Sequence, residues 1–164
     1  MGLSRTLVLV AATITYGLTA GLFYASSCSV MPALRRVDDR TFIDVMQKVD
    51  VAILNGWFVL GYLGALLFGA AAVALHLPEE GRDALPATIA ALVLYAGNIG
   101  VTRAVNIPLN DELGKAGSPE LIAGPAAVRR AFEERGVRFN GAAGGAVHGR
   151  AGFLAWALVL DGNA

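Results

Sequence analysis

Asn98, Thr102, Asn106 and Asn110 recur at intervals of four residues, so on a helix they form one slowly drifting polar row. Such a row inside an apolar stretch must face protein or water. Arg103 lies one position off it, and Pro108 stands between the last two asparagines, which predicts that the helix kinks or ends there. A kink in Val105-Asn106-Ile107-Pro108-Leu109-Asn110 also leaves backbone carbonyls free for a ligand, a cation or a neighbouring helix. The competing use is interhelical: Asn and Thr join helices in membranes at about 0.6 kcal/mol each. Two asparagines beside an arginine are instead a candidate site, because intramembrane polar clusters tend to be functional.

His148 and Arg150 interrupt a glycine-rich apolar run near the C-terminus. A central arginine costs about 2.5 to 3.5 kcal/mol on insertion scales, so it needs a partner or a place near the interface. His148 is the best general base in the chain, since an unperturbed pKa near 6.5 suits proton abstraction at neutral pH; Arg150 is the best anion stabiliser. A hydrogen-bonded packing histidine is the plainer alternative. Tyr24 can donate to a bound carbonyl, although a belt tyrosine at the interface explains it as well. Gln47 and Asn55 straddle the start of a second apolar run and extend the same polar mouth. Gly17 and Gly21 form a small-xxx-small pair that lets a helix approach closely. His76, beside Pro78, is expected at the opposite interface.

The elements that must carry these residues are membrane helices. Fifty-five per cent of the 164 residues are hydrophobic and 16% charged, against about a quarter charged in soluble domains, and the mean hydropathy is +0.58. Thirteen basic and 13 acidic residues balance, which argues against nucleic acid as a partner. The lone Cys28 excludes an internal disulfide and a cysteine-cluster metal site. A bilayer core needs about 20 mostly apolar helical residues. Spans are expected over residues 6–30, ending at Met31-Pro32, then 52–77, 85–106 and 142–160. The first is longer than the apolar core of a secretory signal, which argues for a span over cleavage. The expected fold is a single all-α integral membrane four-helix bundle.

With four crossings both termini share a side with the Pro78 loop, and that side carries only Arg5 and Arg82. The other two loops carry Arg35, Arg36, Arg40, Lys48, Arg103, Lys115, Arg129, Arg130, Arg135 and Arg138. The positive-inside tendency therefore puts the basic loops in the cytoplasm and both termini outside the cell membrane. Before the last span, Ser118-Pro119-Glu120 predicts the start of a short amphipathic connector helix, with serine as N-cap and proline at its first position. Val128, Ala131, Phe132 and Arg135 supply its periodic face.

The segments Ala20-Gly21-Leu22-Phe23-Tyr24-Ala25-Ser26, Val30-Met31-Pro32-Ala33-Leu34, Val45-Met46-Gln47 and Asn106-Ile107-Pro108-Leu109-Asn110-Asp111-Glu112-Leu113 together resemble the anthrone oxygenase-like (DUF1772) family of small four-helix membrane proteins. Asn-x-Pro-Leu-Asn is the most specific of them. The family pattern continues to a Trp-Asn-x-x-Arg-like segment, from which the chain departs. Either Arg150 takes the arginine position and Ala146 and Val147 replace the aromatic and the asparagine, or Phe139-Asn140 keeps that pair and residues 141–147 are inserted.

The resemblance implies oxygenation of a polycyclic anthrone by O2. Neither a GxGxxG motif nor a cysteine cluster suggests an organic or iron-sulfur cofactor, and two well-separated histidines make a histidine metal site improbable, so no cofactor is expected. On this view His148 is the base, while Arg150, Asn106 and Asn110 bind the oxyanion. Tyr24 and Gln47 position the substrate, with Asn55, Thr102 and Arg103 lining its site. The partners are then a hydrophobic aromatic molecule, O2 and the lipid bilayer, with a homo-oligomer or membrane partner also open. The competing reading is a non-enzymatic small membrane subunit or lipid-binding module.

Overall fold

The computed structural model describes residues 2–162, with side chains described for 2–78, 82–136 and 152–161. The described chain is all-α. Helix α1 (Gly2–Ala25) runs through a π turn (Ser26–Val30) into α2 (Met31–Leu34). After a short turn come α3 (Asp39–Ile53) and α4 (Gly56–Leu75). A 3₁₀ turn (Glu79–Ala84) leads to α5 (Leu85–Val101), which passes through a second π turn (Thr102–Asn106) into α6 (Ile107–Lys115). The chain ends in α7 (Pro125–Gly162).

Among the described residues three helical runs are long and apolar enough to cross a membrane: Gly2–Leu34, Gly56–Leu75 and Arg82–Lys115. The first continues past Pro32, expected to stop it, and the third past Pro108, expected to kink or end it. The second starts later than expected, because Leu54 leaves helical geometry and Asn55 begins a new helix, its side chain accepting from the Phe58 N–H at 3.0 Å. Residues 39–53 thus form a separate polar-faced helix. The last apolar stretch with described side chains, Gly152–Asp161, is shorter.

The connector before it differs from the expectation. Ser118 donates its hydroxyl to the Glu120 carboxylate instead of capping a helix, and Arg40 of α3 takes the Pro119 carbonyl and, at 3.1 Å, that of Ile122. Residues 118–121 therefore form a turn, and the helix begins at Gly124-Pro125, where proline suits the first helical position. The amphipathic segment carrying Val128 and Phe132 is the opening of α7 rather than a separate connector.

Two hydrophobic cores lie along this length. In the first, α1 and α5 each pack against both α4 and α7. Small residues such as Ala12, Ala65, Ala91 and Ala157 let the backbones approach. Tyr16 and Tyr95 fill the centre with their rings stacked at 4.5 Å. Tyr16 fits only because Gly69 has no side chain: a methyl group there would overlap its hydroxyl.

The second core joins Leu34, Phe42, Ile43, Leu113 and Ile122 to Val128 and Phe132 of α7. Arg129 fastens it. Its guanidinium donates to the carbonyls of Val37 at 2.8 Å and Leu34 at 3.3 Å, pairs with Asp39 at 3.1 Å, and lies 4.7 Å from the centre of the Phe42 ring. On α7 the two cores are anchored at Leu154 and Phe132, roughly 30 Å apart at 1.5 Å per residue.

Candidate functional site

Both π turns fall between the two cores, and each immediately precedes a hydrophobe-proline pair, Met31-Pro32 or Ile107-Pro108. Proline lacks an N–H and collides with the carbonyl four residues back, which kinks or breaks an ordinary helix. Here the turn before it widens instead. The Met31 N–H bonds the Ser26 carbonyl and the Ile107 N–H bonds that of Thr102, each five residues back. Since Pro108 cannot donate, a carbonyl in the preceding turn lacks its helical partner, and no residue of either turn is fully buried. Such interruptions recur at functional positions in helices.

The Thr102–Asn106 turn carries three of the anticipated residues. The Thr102 hydroxyl is buried and makes no hydrogen bond among the described residues. Asn106, four residues on, is half-buried, and no described residue bonds its amide. Arg103 is exposed. One turn earlier the row begins in a tyrosine network: the Asn98 amide donates to the Tyr62 hydroxyl at 3.4 Å, and Tyr95 donates to the Tyr62 carbonyl at 2.7 Å. Tyr62 in turn stacks on Phe58 at 5.2 Å.

Three further anticipated residues, Asn110, Gln47 and Asn55, hold elements together. Asn110 donates to Asp50 Oδ1 at 2.5 Å, tying α6 to α3. Gln47 donates to the carbonyls of Leu113 at 2.8 Å and Gly117 at 3.0 Å, closing the end of α6, where Gly117 takes a positive φ of 84°. Asn55 is the cap of α4 and also donates to Ala52 at 2.9 Å. Tyr24 is exposed on α1 near the first π turn. His148 and Arg150 lie outside the residues whose side chains are described.

His76 caps the end of α4 and is wholly buried. Its Nδ1 meets the Ala72 carbonyl at 2.6 Å and its Nε2 lies 3.5 Å from Asp161 Oδ1. Arg5 Nε reaches the same oxygen at 4.0 Å, and Thr6 donates to Asp161 Oδ2 at 2.9 Å. The start of α1 and the ends of α4 and α7 meet in this polar knot. In the sequence only the unusual acid at the close of an apolar run, Asp161, hinted at it.

The titrating groups with a resolved shift lie beside the second core. The Thr41 hydroxyl and the backbone N–H groups of Thr41 and Arg40 hold the Asp38 carboxyl below its ordinary range. The Ser118 hydroxyl does the same for Glu120. Among the described residues no three His, Cys, Asp or Glu side chains converge as metal ligands, and Cys28 is free and exposed.

The arrangement presents hydrogen-bonding groups without partners among the described residues on a widened helical turn flanked by apolar residues, which suits a ligand with an apolar body and a polar edge. Neither a curated protein nor a solved structure matches the chain significantly. The anthrone oxygenase family does match, over residues 55–160, which take in α4, the Thr102–Asn106 turn and nearly all of α7. Asn55, Thr102, Arg103, Asn106, Asn110, His148 and Arg150 fall within the match, while Tyr24 and Gln47 precede it. A match over more than half of its length means that this chain belongs to the anthrone oxygenase family.

Proposed function

We propose that the protein is a membrane-embedded, cofactor-independent oxygenase acting on an anthrone-like polycyclic phenolic substrate. The observation that carries this reading is the Thr102–Asn106 turn, which lies within the family match and presents a buried hydroxyl and a half-buried amide without partners among the described residues. The methylene of an anthrone is acidic because its carbanion is an aromatic phenolate. A base removes one proton, hydrogen-bond donors stabilise the oxyanion, and the electron-rich carbon forms a C–O bond with O2. The resulting hydroperoxide loses water across its C–H and O–O bonds to give the quinone carbonyl, so one O2 yields one ketone oxygen and one water. His148 is the base in this scheme and Arg150 assists the oxyanion.

In this reading α1 with α2, α4, α5 with α6, and α7 form a four-helix membrane bundle. The second core sits at the cytoplasmic side and both termini lie outside, as the two-to-ten split of basic residues favours. Oxygen uptake by the purified chain with anthrone tests the function. His148→Ala is expected to abolish most of the turnover, and unchanged turnover would remove His148 from the mechanism. A non-enzymatic membrane subunit is the second reading, favoured by the engagement of Gln47, Asn55 and Asn110 in protein contacts. Stable copurification with a larger membrane protein, together with no oxygen uptake, would select it.

A further inference from the structure

Every other threonine in the chain satisfies its hydroxyl within the protein. Thr13, Thr15 and Thr19 donate to the carbonyl four residues back at 2.8 to 2.9 Å. Thr6 and Thr88 also reach helix carbonyls, and Thr41 bonds Asp38. Thr102 alone makes no such bond among the described residues, although its hydroxyl is buried. Leaving a buried hydroxyl unbonded costs about 1 to 3 kcal/mol, and the back-bond open to a helical threonine would remove that cost. Asn106, on the next turn, likewise has no side-chain partner among the described residues. Around them Ile99 packs against the first core, and Val101 and Val105 are half-buried.

We infer that the Thr102 hydroxyl is the principal hydrogen-bond donor to a ligand, taking the carbonyl or phenolate oxygen of a planar aromatic ketone, with the Asn106 amide beside it as the second donor. The inference rests on the reading of the chain as an anthrone-type oxygenase and adds which atoms recognise the substrate's oxygen. A single hydroxyl and a single amide next to valines match a molecule whose body is apolar and whose polarity is confined to one edge. They do not match a sugar or a nucleotide, which would bring many more polar groups to satisfy. The Tyr62 and Asn98 contact one turn back fixes the helix face that carries the pair.

The test compares 9,10-anthraquinone with anthracene, which has the same three rings and no oxygen, for binding to the full chain in nanodiscs. Thr102→Val keeps the shape and removes the hydroxyl. Its affinity for anthraquinone is expected to fall about tenfold, the loss of one hydrogen bond, while its affinity for anthracene stays at the wild-type level. Thr102→Ser is expected to restore anthraquinone binding. The melting temperature of Thr102→Val should be unchanged or higher, since no protein bond is lost. Equal binding of both ligands by wild type and Thr102→Val overturns the inference alone. So does a parallel loss of both with a lowered melting temperature, because the hydroxyl is then structural. If wild type binds neither compound, the oxygenase reading fails and the inference fails with it.

Discussion

His76 Nε2 lies 3.5 Å from Asp161 Oδ1, so the end of α4 is joined to the end of α7 by two residues that are almost entirely buried. The other ring nitrogen is held by the Ala72 carbonyl at 2.6 Å. With Nδ1 held by a backbone carbonyl and the whole side chain buried, this histidine is placed for structure rather than for proton abstraction from a substrate. Arg5 and Thr6 bring the start of α1 to the same carboxylate.

Asp161→Ala should therefore destabilise the protein by about 2 to 4 kcal/mol, because removing one member of a buried polar cluster strands the others. Thermal unfolding in detergent measures it. The folded fraction should keep wild-type oxygen uptake, since the knot lies at the far end of the first core from the Thr102–Asn106 turn. A loss of stability below about 0.5 kcal/mol, the range of an ordinary surface change, would show that the knot contributes little.

Gly69 and Tyr16 make a second pair whose fit can be tested. A methyl group on residue 69 would overlap the Tyr16 hydroxyl and press on Leu92. The tyrosine cannot swing away, because its ring is stacked on Tyr95 and fully buried. Gly69→Ala should cost about 1 to 3 kcal/mol, as overpacking does elsewhere. Tyr16→Phe removes the overlapping oxygen, so the double variant should be less destabilised than the sum of the two single changes. Strict additivity would mean that the helices shift instead of the ring being compressed.

Much of this architecture was legible from local pattern. Uncharged runs mark the three long apolar helices. Distance-dependent features were not legible. Asp50 and Asn110, Arg40 and the Pro119 carbonyl, or His76 and Asp161 meet only after folding, and nothing in their local sequence names the partner. The prolines misled for a different reason. The local rule predicts a helix end at Pro32 and a kink or an end at Pro108, whereas one widened turn accommodates each and lets the helix continue. Ser118-Pro119 met the local rule for a helix start, but the Ser118 hydroxyl and the neighbouring carbonyls found other partners.

Asp38 gives the chain a pH-dependent helix start. Its carboxylate accepts from the backbone N–H groups of Arg40 and Thr41, each at 3.1 Å, and from the Thr41 hydroxyl. These bonds favour the ionised form and hold the carboxyl below its ordinary value of 3.8. A group depressed on folding stabilises the folded state fully above its unfolded pKa and loses that contribution as the pH falls through the folded value. Amide exchange at Arg40 and Thr41 should thus stay protected above about pH 4 and loosen below it. Asp38→Asn can still cap but cannot titrate, so its protection should be flat across the same range. If wild type and Asp38→Asn follow the same curve, the carboxylate is not what titrates.

Asn106 and Asn110 bear the same side chain one turn apart, yet they differ in their bonding. Asn110 is bonded to Asp50 and joins α6 to α3, while Asn106 has no side-chain partner among the described residues. Asn110→Ala should lower stability by about 1 to 2 kcal/mol, because it leaves a half-buried carboxylate short of a donor. Its effect on kcat/KM for anthrone in the folded protein should be small. Asn106→Ala should leave the melting temperature within a degree or so of wild type and lower kcat/KM for anthrone about tenfold, the value of one hydrogen bond strengthened in the transition state. Melting curves and oxygen uptake on the two variants decide the matter together. If Asn110→Ala instead lost activity at unchanged stability, the oxyanion would lie nearer α6, and the Asp50 bond would orient a catalytic amide rather than join two helices.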